Sequence, residues 1–206
     1  MATIRLSWFI RAGTSNESSN TTSAKDELQL VSAQTDHRLA FNQVEDHNIY
    51  LITDGPHSAV SQAVSKPAGA ENKIGTLAAS RGFVGTGNVT MSASSILEGS
   101  TPPLQSPVIS IGRFAIEKDS RARFDEEWEN IKGILEDFAK PYSTTSGWAE
   151  SGGLETPTRD EFIMIVGWPS VQRHMEFAST EGFAKYAAII HGFMKEAEVK
   201  HYARLG

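Results

Sequence analysis

The sequence predicts an α+β fold built from strand–helix–strand–strand–helix–strand units. Three observations predict it. Val108–Ile116 is a β-branched and aromatic run, followed by a stretch whose apolar residues recur every three or four positions. A second cycle of strands and helix completes six elements within about 100 residues, the order of a split βαβ, ferredoxin-like unit. A worn copy of the same elements recurs in the first half at a roughly constant offset of about 110 residues, which suggests duplication of a whole domain.

In the first half, Ile4–Ile10 is expected to be the first strand and Lys25–Gln34 a shortened helix. Between them, Thr14–Ala24 is almost entirely Ser, Thr and Asn and reads as a loop. His37–Val44 and Asn48–Thr53 are the middle strands. Ile49–Pro56, followed by the helix-like Ser58–Ser65, parallels Ile163–Pro169 and its helix. Asn88–Ser92 is the fourth strand, and Lys66–Gly87 has no counterpart. Glu98–Pro107 carries Gly99, Pro102, Pro103 and Pro107 in a polar setting and reads as a linker. The expected layout is a degenerate unit over 1–99, a linker over 100–107 and a C-terminal unit over 108–206.

The C-terminal unit opens with the Val108–Ile116 strand. Ser120 is expected to cap the next helix, whose Phe124, Trp128, Ile131, Leu135 and Phe138 form one apolar stripe, with Glu126, Glu127, Glu129, Lys132 and Glu136 in water. Pro141 stops it. A Gly-flanked stretch around Trp148 reads as a second strand, Thr156–Arg159 as a turn and Glu161–Trp168 as a third strand. Ser170 fits an N-cap without a complete capping box. The break at Ser179–Gly182 leads into a helix through Met194, and Glu198–Leu205 alternates as a last strand.

Composition excludes several classes of function. Hydrophobic residues make up 39%, enough for a buried core, and the net charge of −6 argues against a nucleic-acid footprint. The chain has no cysteine, which removes disulfides, thiolate metal sites and cysteine nucleophiles together. Apolar runs such as Phe162–Val166 are too short to span a bilayer. Met1–Arg11 is interrupted by Arg5 and Arg11 and lacks the core of a secretory signal, so Asn16, Asn20 and Asn88 read as chance glycosylation triplets. A soluble cytoplasmic protein with no membrane partner is expected. No Gly-x-Gly-x-x-Gly or phosphate loop follows a strand, and no His-x-x-x-His pair occurs, so neither a nucleotide cofactor nor a metal is expected.

The segment Ile163–Tyr186 joins an apolar strand ending in Trp168, a helix bearing His174, a small-residue break, and then Phe183 and Tyr186. It resembles the third strand and second helix of antibiotic-biosynthesis-monooxygenase-like (ABM) domains of the dimeric α+β barrel superfamily. The resemblance covers Val108–Leu205 well and the first half weakly. It implies a barrel of two four-stranded sheets. Two chains supply these in most members; here two fused halves of one chain could do so, and a homodimer stays open. It further implies a pocket between sheet and helices in each unit. Members include cofactor-free monooxygenases of aromatic polyketides, polyketide cyclases and haem-degrading enzymes. The position matching the haem-ligating histidine of the last group is Ala187, which speaks against haem.

Candidate site residues follow. His174 matches the position where the resemblance places a His or Trp at the pocket. It could move a proton on a phenol or enolisable ketone, or be a half-buried surface histidine. Tyr186 could donate to a carbonyl or peroxide, or be core. Arg113 interrupts an apolar strand, sharing a face with Ile109, Ile111 and Ala115; it could hold a phenolate, or form an interface salt bridge. Trp168 could stack on an aromatic ligand or pack the strand end. Trp148, Phe183 and Trp128 are further substrate-contacting candidates, His191 and His201 secondary ones. His57 is the best base if the first half keeps a pocket, and otherwise a turn residue.

The expected function is cofactor-independent oxygenation of an aromatic or polyketide-like small molecule in secondary metabolism, with electrons from the substrate. Cyclisation or isomerisation in the same pocket, or a non-catalytic binding or stress-response module, are the alternatives.

Overall fold

The computed structural model describes residues 2–11, 38–54, 83–93, 99–151 and 156–205. The first half supplies strands β1 (Ala2–Arg11), β2 (Arg38–Gln43), β3 (Ile49–Asp54) and β4 (Phe83–Ala93). The second supplies β5 (Val108–Glu117), α1 (Arg121–Ala139), β6 (Thr144–Ser151), β7 (Arg159–Trp168), α2 (Val171–Phe177), α3 (Glu181–Phe193) and β8 (Met194–Arg204). All four strands expected in the first half are present, the fourth extended at its start. The helices expected at Lys25–Gln34 and Ser58–Ser65, and His57 with them, lie outside the described residues.

These eight strands close into an antiparallel barrel in the order β1–β3–β2–β8–β5–β7–β6–β4. Closure removes exposed strand edges. Within the barrel the first half runs β4–β1–β3–β2 and the second β8–β5–β7–β6, the same order. Two short seams join them. β2 meets β8 from Phe41–Arg204 to Gln43–Tyr202, and β4 meets β6 at Thr90–Ser151 and Met91–Ala149. Each half's second strand thus pairs with the other's fourth. Gly147 permits the second seam, because a Cβ there would fall 1.6 Å from the Ser92 carbonyl oxygen.

Side chains alternate between the two faces of the sheet. One set fills the lumen, where Ile4, Leu6, Trp8, Phe41, Leu51, Ile109, Ile111, Ile163 and Ile165 pack together. The opposite set of β5 and β7 meets the helices, where Phe114, Phe162, Met164, Val166 and Trp168 pack against Phe124, Trp128, Ile131 and Leu135 of α1 and Tyr186 and Ile190 of α3. β7 is covered on both faces, which explains its continuous apolar run.

Two local expectations need correction. Ser120 does not cap α1 with its side chain; its own backbone is already helical (φ −91°, ψ −8°), following a 3₁₀ turn at Lys118–Ser120. The last strand starts at Met194, with no loop after α3. Its first residues are polar and exposed, which hides them from an alternation test. The Pro-rich segment around Pro103 is packed. Pro103–Gln105 is a 3₁₀ turn, Leu104 is buried in the lumen cluster, and the Ser143 N–H donates to the Thr101 carbonyl at 2.9 Å. Among the described residues no helix is long and apolar enough to cross a membrane.

Candidate functional site

β7 ends at Trp168, and two residues later Ser170 starts α2 by accepting the Arg173 N–H on its side chain. His174 therefore lies one turn into α2 and folds back over the strand end. Its ring stacks on the indole of Trp168, centroids 4.6 Å apart and planes 14° from parallel. Trp168 is itself held by donating its Nε1–H to the Ser110 hydroxyl at 2.9 Å. On its other side, His174 Nδ1 lies 2.7 Å from His201 Nε2. His201 Nδ1 lies 2.6 Å from a carboxylate oxygen of Glu45, and the His201 backbone N–H donates to both oxygens of that carboxylate at 3.1 and 3.2 Å. Glu45 belongs to the turn between β2 and β3. It is brought there by the β2–β8 seam, which the Val44 N–H extends by donating to the His201 carbonyl.

Electrostatics follow from this placement. Burial, reinforced by the nearby His201, lowers the His174 pKa from 6.5 to about 4, so the imidazole is neutral at pH 7. Burial pushes the Glu45 carboxyl up, but the hydrogen bonds it accepts from the His201 ring and backbone outweigh that and hold it below its ordinary value. Among the described residues, Nε2 of His174 has no hydrogen-bond partner. The three side chains bond in line rather than converge on a point, and no described group of three His, Asp or Glu is arranged to hold a metal ion.

Tyr186 shares this face of the sheet. Its hydroxyl lies 3.5 Å from the Met164 sulfur, a weak acceptor, and burial pushes its pKa up, so the proton stays on. Met164 is paired with Gly112 and Gly112 with Val199, while Ser110, two residues back on β5, is paired with His201. The tyrosine thus ends over the row next to the histidine pair, roughly 7 Å along the strands. Met175 and Val199, two of the exposed large apolar side chains, flank this region: Met175 follows His174, and Val199 points to the same side of β8 as His201.

The remaining candidates fall elsewhere. Phe183 and Trp128 pack in the helix-side cluster with Tyr186; Trp128 donates to Ser146 Oγ at 3.0 Å. Trp148 pairs with Phe162, six residues down β7 from Trp168 and about 20 Å away along the strand. It donates to Asp125 at 2.8 Å beneath the guanidinium of Arg121. Arg113 is on the opposite face. In the lumen it makes a two-pronged ion pair with the fully buried Glu161 (2.5 and 3.2 Å) and lies over the Trp8 ring. The structure therefore brings together His174 and Trp168, sets Tyr186 on the same face, and separates Arg113 and Trp148 from them. His191 is exposed on α3. Glu45 was absent from the sequence-based candidates, and His201 was only a secondary one.

No family model matches the chain, and no curated protein matches it. Solved structures do. A provisionally assigned monooxygenase from Lactobacillus acidophilus NCFM superposes with a TM-score of 0.59 at 11% identity, covering 100% of this chain and 95% of that one. An anthrone oxidase-like protein gives 0.60 at 13% identity, with 98% and 91% covered. A major regulator of staphylococcal pathogenesis gives 0.59 at 8%, with 98% and 99% covered. At these identities the likeness establishes the fold, which these proteins share over nearly their whole length.

Proposed function

We propose that the protein is an oxygenase-like enzyme that deprotonates an aromatic or polyketide-like small molecule at His174 and oxidises the resulting carbanion with dioxygen. The observation that carries this is the neutral imidazole of His174, stacked on Trp168, with a free ring nitrogen among the described residues and the hydroxyl of Tyr186 on the same face. The names of two similar structures, a monooxygenase and an anthrone oxidase-like protein, support the reaction class.

For an anthrone-type substrate the chemistry balances without an added reductant. The base removes one proton from the methylene carbon, and the carbanion's electrons form a carbon–oxygen bond to dioxygen. Protonation gives a hydroperoxide. Loss of the second C–H proton and cleavage of the O–O bond then give the ketone and one water. Tyr186 stays protonated and donates to the oxygen that gains charge, which is stabilisation of an oxyanion by a fixed dipole. Arg113 has no part in this, because it faces the lumen and is engaged by Glu161.

The test is oxygen uptake with an anthrone. One dioxygen consumed per ketone formed, and loss of turnover in His174→Ala, are expected. Full turnover in His174→Ala would remove the base. Conversion without oxygen would replace oxygenation by isomerisation or cyclisation at the same site. We further infer that the halves over 1–99 and 108–206 are fused copies of one unit joined by 100–107, on the support of their equal strand orders.

A further inference from the structure

Glu45 and His201 do not touch the substrate in the reading above, yet they constrain what His174 can do. A carboxylate only accepts hydrogen bonds. His201 Nδ1, 2.6 Å from Glu45, must therefore carry a proton, which in the neutral ring leaves a lone pair on its Nε2. That lone pair lies 2.7 Å from His174 Nδ1 and accepts from it. The proton of His174 is thereby fixed on Nδ1, and Nε2 is bare.

We propose that Glu45 and His201 are positioning residues forming a proton relay behind His174, which holds Nε2 as the proton acceptor and moves the acquired charge to His201. This rests on the acid–base reading of His174. When Nε2 takes a proton, the Nδ1 proton passes to His201 Nε2. One proton enters and one shifts, and the positive charge moves from the stacked imidazole of His174 to a ring beside the Glu45 carboxylate. The reverse shift returns the proton to an oxygen leaving group. The relay crosses the β2–β8 seam, so the first half completes the apparatus of the second. The titratable groups acting on His174 are His201 and Glu45. Neighbouring Arg173 turns away to Glu176 and the Phe138 ring, and Lys200 points to the other side of β8 from His201.

The test is nitrogen NMR of the full chain with labelled histidine, titrated from neutral to acid pH, which needs no substrate. In the wild-type protein both His174 and His201 should show a protonated Nδ1 and an unprotonated Nε2 at neutral pH. Glu45→Ala removes the acceptor, and His174 should become a mixture of tautomers. In Glu45→Gln an amide oxygen in the Oε1 position accepts from both the His201 ring and its backbone N–H, so the acceptor survives without its charge. The tautomers should then persist while His174 protonates at lower pH than in the wild type, because the Glu45 charge favours its protonated form. A proton on Nε2 of wild-type His174, unchanged tautomers in Glu45→Ala, or unchanged titration in Glu45→Gln would each overturn the relay. The two readings fail separately. A reversed tautomer sinks the relay whatever His174→Ala does, and an active His174→Ala sinks the base whatever the tautomer.

Discussion

Trp168 and His174 lie ring on ring, 4.6 Å apart and 14° from parallel. The indole covers one face of the imidazole, and the burial of the ring opposes its protonation. The indole also fixes the ring plane, so that one edge meets His201 while Nε2 stays available. A single aromatic contact therefore sets how the imidazole is aimed.

Acid sensitivity follows from the neutral state of His174. The unfolded chain binds a proton at His174 near pH 6.5 and the folded chain only near pH 4. Between these values the unfolded state holds more protons, so stability falls as pH falls, by about 2 kcal/mol at pH 5. Below about pH 4 this group adds no further loss. Glu45, whose folded value is depressed, adds its own loss on the acid side as it becomes protonated. Urea unfolding at neutral pH and near pH 5 should show that His174→Phe, which keeps a stacked ring, loses less stability on acidification than the wild type. Equal losses would contradict a buried neutral histidine.

Tyr186→Phe separates chemistry from packing. Among the described residues the hydroxyl bonds only a thioether, so its removal should change stability by less than about 1 kcal/mol. As an oxyanion donor its loss should lower kcat by about 100-fold or more. A stable variant with unchanged kcat would return Tyr186 to the core.

How much of this was legible in the chain depends on range. Trp168, Ser170 and His174 lie within seven residues, and a strand end, a cap and one helical turn place them by local rules. The lumen and helix faces of β5 also follow from alternation, which put Arg113 with Ile109 and Ile111. Glu45 had no such signal. It is 156 residues from His201, and only the pairing of β2 with β8 carries it there. No local period encodes which strand closes a barrel. The early start of β8 was hidden because its first residues are exposed on both faces.

The lumen ion pair gives a stability test away from the site. Glu161 is fully buried and Arg113 partly so. Glu161→Gln leaves the guanidinium without its counter-charge and should cost about 3 kcal/mol or more, while the joint replacement Arg113→Met with Glu161→Met should come close to wild type. Denaturant midpoints of the single and double variants decide it. Turnover should survive in the double variant, because neither residue faces His174.

Gly147→Ala tests closure. The added Cβ would collide with the Ser92 carbonyl oxygen, a backbone atom that cannot swing aside. The β4–β6 seam should part, with a loss above about 3 kcal/mol. Faster amide exchange confined to β4 and β6 would locate the damage, and normal protection there would mean that the seam tolerates the group.

The matched seams carry a consequence for how such a protein can change over time. When two identical chains build a barrel, every substitution occurs twice, so both sides must tolerate it. Here each residue occurs once. The side that bears His174 can stay as it is while the other is altered freely, provided that it still offers a strand edge and one acid. Glu45 on one half and His201 on the other form a contact that two identical subunits would have to make in duplicate, and a single chain has to make only once.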